Sequence, residues 1–473
     1  MKTLFEILIA CLVITTFAFG QDSTTVNQTG PGNKATVNQS GSNTTILNQA
    51  SVTTGNTATI TQTGSNVAIA TQDGEDNSIE SEQNGTDNVR TMTQTGNLNS
   101  IEYQYYYASP PWNGNLETIT QSGNQNRIWF YYNQGTINNN TATFTQTGDC
   151  NNVMYMFANN SVSNVTTVTQ NGNSNEFQVR NFHHASGNSR TIDQQGDYNF
   201  VTLRAYYESN NNDVTIAQVG DGNRATSHIY DQDAYTYPSD NNTLALTQTG
   251  NLNFTHVKAS GEDNIMNITQ SGGNENALGG DSYFGAFQDG TNNMATITQS
   301  GNSNTILQNL GANSRSIQQA GDNNSLAIDQ AGDNNVIGEL VGATHSAVEQ
   351  VGNTNTIDIE QIGNDNIIRE LAQVGDGNSI TLAQNGNANL ADLIITGDSN
   401  SGTLSITGDN NELDLDITGD TNTWTLLQNG NLNSTKLSAT GNLNTAAISQ
   451  TGNSHSANVT QNGNGNTTTI TQD

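Results

Sequence analysis

The stretch Gln384-Asn385-Gly386-Asn387-Ala388-Asn389-Leu390-Ala391-Asp392-Leu393-Ile394 decides the fold, because its first position recurs every eleven residues. The recurrences are Ile395, Ile406, Ile417, Gln428, Ala439, Gln450, Gln461 and Gln472. Two residues after each of the first eight stands a glycine, from Gly386 and Gly397 to Gly452 and Gly463. Five residues after each stands Asn389, Asn400, Asn411, Asn422, Asn433, Asn444, His455 or Asn466. A fixed period of this kind marks a stacked repeat. The unit is Q-x-G-x-x-N-x-h-x-h-x, where h is apolar.

Working outward, Asn56-Thr57-Ala58-Thr59-Ile60-Thr61-Gln62 shows what one unit does. Alternation puts Asn56, Ala58, Ile60 and Gln62 on one face and the threonines on the other. β-Branched content favours a strand. The Gly-x-x-Asn segment supplies the turn, with glycine free to take positive φ and asparagine tolerant of it. An unpaired buried amide costs roughly 1–3 kcal/mol, so inward Gln and Asn demand partners. Identical amides stacked ~4.8 Å apart supply them, as in cross-β ladders. The expected fold is all-β, a solenoid of about twenty strand-turn-strand coils, none stable without its neighbours. The same register turns Trp424 inward, where the coil has to widen or the strand to slip.

The chain divides by rhythm. Residues 1–20 carry Lys2, an apolar run and Ala18-Phe19-Gly20, the pattern of a secretory signal peptide. No other stretch approaches the ~20 apolar residues of a membrane span. Residues 21–99 hold short-period repeats. Residues 100–287 hold longer ones, with Gln146, Gln170, Gln194 and Gln218 evenly spaced. Residues 288–473 return to the eleven-residue rhythm, with slips near Gly342 and Glu370 that read as bulges. Nearly all aromatic residues after the leader fall between Tyr103 and Phe287; Trp424 alone lies later.

With 12 Lys+Arg against 43 Asp+Glu the chain has a net charge of −31, which argues against nucleic acid as a partner. The mature chain keeps one cysteine, Cys150, so no internal disulfide framework is possible. No catalytic cluster is evident and no cofactor or metal is expected. The turn acids Asp376, Asp398, Asp409 and Asp420 lack a calcium-solenoid pattern and read as solvated. In the central region alternation assigns an outward set: Arg127, Trp129, Tyr131, Met154, Met156, Gln178, Arg180, Arg204 and Tyr206. It continues with Arg224, His228, Tyr230, Phe254, His256 and Lys258. This aromatic and cationic stripe is a candidate surface for glycan.

The units QTGSN, QDGEDN, QTGNLN, QNGNAN and QNGNGN, each followed by alternating apolar residues and another Gln, resemble the curlin repeat. The resemblance spans nearly all of residues 26–472. It implies a subunit of curli-type functional amyloid, a secreted, extracellular fibre of the bacterial biofilm matrix that polymerises end to end. Its partners would be further copies, other curli-type subunits and matrix polysaccharide. In that family the Gln and Asn of the outer repeats promote assembly. By position these are Gln28, Asn33 and Gln39 at one end and Gln461, Asn466 and Gln472 at the other. Gln384, Asn389, Gln428, Asn433 and Gln450 belong to the same ladders. The C-terminal Thr471-Gln472-Asp473 ends on a complete motif strand, an edge expected to template addition. The alternative is a monomeric solenoid adhesin that binds glycan through its stripe.

Overall fold

The computed structural model describes residues 13–16, 21–105, 112–132, 137–157, 161–181, 185–205, 209–229, 239–279, 285–307, 315–338 and 346–473. Tyr206, Tyr230, Gly342, the side chain of Arg180 and most of the leader span lie outside the described residues. Contacts divide the chain into two compact units, Met1–Asp221 and Gly222–Asp473. The rhythm boundaries at 99/100 and 287/288 fall inside these units.

The described residues form strands and turns, without a helix. Each unit is a β-solenoid whose coil passes once through a front sheet and once through a back sheet. In the first unit the front sheet stacks Ser23–Thr29, Thr44–Ala50 and their equivalents as far as Asp213–Val219, all parallel and in register. The back sheet runs from Lys34–Gly41 through Ser100–Tyr105 and Arg127–Tyr132 to Phe200–Ala205. Val13–Thr16, inside the leader span, runs beside Lys34–Gly41. In the second unit the front sheet runs from Thr243–Thr249 to Thr467–Gln472, and the back sheet from Arg224–Ile229 to Ser456–Asn462. The solenoid read from the period is therefore what the chain forms.

The pleat follows the alternation. Ala58, Ile60 and Gln62 are buried between half-exposed threonines. Each fully buried Ile, Leu or Val contributes about 1.5–3 kcal/mol.

Turn geometry corrects the sequence reading in one respect. The left-handed residue is not the motif Asn but the one before it, whatever its type: Ala388, Leu432 and Tyr198 have φ of 55°, 60° and 60°. The conformation costs roughly 1–2 kcal/mol in a non-glycine residue. A backbone bond to the adjacent coil offsets it, as in Leu432 N–H to Asp409 C=O at 3.0 Å. The Asn is buried and binds three neighbours. Asn389 Oδ1 accepts the Asn411 N–H at 3.0 Å, while its Nδ2 donates to Asn366 Oδ1 at 3.0 Å and to the Gly408 carbonyl at 2.8 Å. The motif glycine is required by stacking as well as by its φ. A Cβ on Gly408, at φ 113°, would stand 2.2 Å from the Gly430 carbonyl oxygen of the next coil.

Two expectations about rhythm change. Between Gln288 and Gln361 the eleven-residue spacing holds only from one back strand to the following front strand; Gln288 and Gln319, then Gln319 and Gln350, are 31 residues apart. In these coils the back strand is cut in two, as in Thr305–Ile306 with Ile317–Ala320 and Val336–Ile337 with Val348–Val351. The slip near Gly342 lies outside the described residues, between the half-strands Val336–Ile337 and Val348–Val351. Glu370 does sit at a bulge, where the register shifts between Ile368 and Leu371. Trp424 is inward, 2% exposed, and its strand does not slip: it stays in register between Gly402 and Ala446. The missing side chain of Gly402 supplies the volume.

Candidate functional site

The first candidate is the set of amide ladders. In the first unit Gln28, Gln49, Gln72, Gln94, Gln121, Gln146, Gln170, Gln194 and Gln218 form an unbroken chain. Each Nε2 donates to the next Oε1 at 2.7–3.0 Å. Gln39, Gln62 and Gln83 make a shorter one in the back sheet. In the second unit Gln361 donates to Gln384 at 2.9 Å, Gln428 to Gln450 at 3.1 Å and Gln450 to Gln472 at 2.8 Å. Gln384, Asn389, Gln428, Asn433 and Gln450 are buried.

At the outer coils the ladder residues are more open. Gln28, Asn466 and Gln472 are half-buried, whereas Asn33, Gln39 and Gln461 are buried. Gln461 sits beside Ala439 rather than another amide, so its Nε2 turns to the Thr445 carbonyl at 2.8 Å. Gln472 also donates to the Ser456 carbonyl at 3.1 Å. The ladders are directional, and their gaps show it. Ile406 precedes Gln428 and Ala259 precedes Gln288. Gln428 Oε1 and Gln288 Oε1 are the acceptors left without a donor there.

Sequence reasoning missed a polar knot inside the first unit. Arg90 and Glu117 occupy inward slots of adjacent front strands. Arg90 Nε meets Glu117 Oε2 at 2.5 Å and Nη1 donates to Ser81 Oγ at 2.8 Å. The Tyr103 hydroxyl donates to Glu117 Oε2 at 2.8 Å, and the guanidinium lies 3.5 Å from the Tyr103 ring centroid. Arg190 fills the same kind of slot; burial pulls its pKa down, and its Nη1 has no partner. The signal was present, since alternation from Asn88 and Asn188 points Arg90 and Arg190 inward.

The second candidate is the outer face of the back sheet. Trp129 and Tyr131 lie half-buried there, rings edge-on at 6.4 Å, while Ile128 and Phe130 are in the core. Arg127 is exposed, 5.5 Å from the Trp129 ring, and pairs with Glu102 at 3.0 Å. Arg204 is half-buried, and its backbone lies beside that of Arg180. The row is less cationic than the stripe read from sequence: Glu80, Glu102, Trp129, Met154, Gln178 and Thr202 are successive neighbours.

In the second unit Arg224 stands 5.6 Å from the Phe254 ring, and Lys258 Nζ lies 4.6 Å from that of Phe287. Arg315 covers Phe287 at 3.7 Å. His228 and His256, read as outward, are buried at 3% and 7% exposure with rings 5.1 Å apart. The chain at Gly279 and Gly285 returns over His256 and covers it.

Among the described residues no group of three or more His, Cys, Asp or Glu converges as a metal site. Asp376, Asp398 and Asp420 stack in one turn column, but each of the latter two turns its carboxylate to a backbone N–H, at 2.8 and 3.0 Å.

Parallel coils with in-register amide ladders define a self-stacking β-solenoid. Residues 240–272, 321–363 and 441–473 match the family profile described as Curlin associated repeat. Those three stretches carry curlin-type repeats. Comparison with curated proteins returned no match.

Proposed function

We propose that this chain is a structural subunit of a curli-like functional amyloid fibre, secreted to the cell surface, where it adds end to end and contributes to adhesion and cell aggregation in a biofilm matrix. One observation carries the reading. Among the described residues successive parallel strands offer one another backbone groups and, outside gaps such as those at Ala259, Ile406 and Ala439, ladder amides, so a coil of another copy can occupy the place of the next rung. Thr467–Gln472 pairs along one edge, with Thr445–Thr451, and its inward Ile470 is half-exposed. Such an edge templates strand addition. The matching curlin repeats support the same reading.

The test is to secrete the mature chain and follow it by thioflavin fluorescence, electron microscopy and fibre diffraction. Fibres with a ~4.8 Å meridional repeat are expected. A chain that stays monomeric at high concentration would reject the proposal. A second reading, a monomeric adhesin that binds glycan, is favoured by the half-buried aromatic pair Trp129 and Tyr131 on the outer face of the back sheet.

A further inference from the structure

We propose that the outer face over Glu80, Glu102 and Trp129 binds a polysaccharide bearing protonated amino groups, of which a glucosamine polymer is the simplest. This rests on the glycan-capture reading and leaves the fibre reading untouched. The three residues are direct neighbours on successive back strands, Glu80 beside Glu102 and Glu102 beside Trp129. They line a surface groove of about 410 Å³ with Tyr103, Gln104 and Arg127. Its floor is firm: the Tyr103 ring is stacked on Phe130 at 4.3 Å and 2°, and its hydroxyl is held by Glu117.

The chemistry selects the ligand. An indole at one end of a groove packs the C–H face of a sugar and attracts a cation placed over the ring. Two carboxylates follow at one-rung intervals of ~4.8 Å, about the length of one sugar in an extended chain. Arg127 pairs with Glu102, whereas exposed Glu80 carries no ion pair among the described residues. That leaves one uncompensated negative charge beside the aromatic face. A net charge of −31 adds a long-range field that draws in a polycation and repels an acidic polysaccharide.

The secreted mature chain, before fibres form, provides the test. Short β-1,4-linked oligomers of glucosamine, N-acetylglucosamine and glucose are titrated at mildly acid pH and low salt while tryptophan emission is recorded. Trp112 and Trp424 are 5% and 2% exposed, so the response reports Trp129. The glucosamine oligomer is expected to bind most tightly and to weaken as salt rises. Glu80→Gln should reduce its affinity roughly two- to fivefold with the circular dichroism unchanged, since Glu80 is exposed. Equal binding of all three oligomers would overturn the assignment to amines while leaving glycan capture intact. Absence of any binding, checked by calorimetry, would overturn both, and fibre growth would be unaffected.

Discussion

Gly402 and Trp424 share one inward slot on adjacent coils: a methyl carbon on Gly402 would stand 1.8 Å from Trp424 Cε2 and Nε1. The indole is placed by what its neighbour lacks. Gly402→Ala should therefore lower the denaturation midpoint, by the roughly 1–3 kcal/mol of an overpacked core. Trp424→Ala should cost about 3–5 kcal/mol through the cavity it leaves. Gly402→Ala combined with Trp424→Ala should be more stable than the sum of the two single changes implies. Strict additivity in urea titrations would show that the residues do not share the slot.

Ile406 interrupts an amide ladder and leaves Gln428 Oε1 without a donor. Ile406→Gln should let Gln384 reach Gln428 through a third amide. Placing an unpaired polar group in a core costs about 1–3 kcal/mol. Here the change should be close to neutral by thermal unfolding, and a full penalty would show that the ladder cannot be completed.

At the outer coil, Gln461→Ala, Asn466→Ala and Gln472→Ala together remove side-chain amides but leave the preceding coils intact. The β-content of the monomer should persist while seeded elongation slows severalfold. Unaltered elongation kinetics would mean that this edge does not dock, or that backbone pairing suffices.

The Arg90–Glu117 pair predicts an asymmetry. Arg90→Leu or Glu117→Leu alone strands a buried charge and should destabilise by about 3–5 kcal/mol. Replacing both should recover most of that loss. A double variant as unstable as the worse single one would show that Ser81 and Tyr103, rather than the ion pair, set the energy.

Asp392 lies on an outer face beside Asp414. Burial first, then repulsion from Asp414, raises its pKa above the ordinary 3.8, although Arg369 and Lys436 pull it down. A carboxyl raised in the folded state favours folding below its unfolded pKa and loses that contribution as pH rises through the folded value. Asp392→Asn should thus raise the unfolding midpoint at neutral pH, and the gain should fade as pH drops toward 3.8. A gain that persists in acid would assign the effect to packing.

The pleat made much of this legible. Alternation from a motif Asn separates Phe130 from Trp129 and points Gln384 and Gln450 into the ladder. It could not say which inward slots tolerate charge, because Arg90 is acceptable only with Glu117 one coil away, a distance of 27 residues in sequence. The split back strands were hidden for a related reason. An insertion between Ile306 and Ile317 leaves both half-strands in register with their neighbours, so the ladder survives while the count along the chain is lost. His228 and His256 follow the period, but Gly279 and Gly285 of a later coil lie against His256.

The glutamine ladders of each unit all run the same way, nitrogen toward the C-terminal coil and oxygen toward the N-terminal one. Aligned amide dipoles add, as peptide dipoles do along a helix, so each unit is a small electret with an arrow. Reversing one copy against another would set oxygen against oxygen and nitrogen against nitrogen along every column. A filament of such copies would have two chemically unlike tips, one that receives hydrogens and one that offers them, and its growth would have a direction before any other factor imposed one.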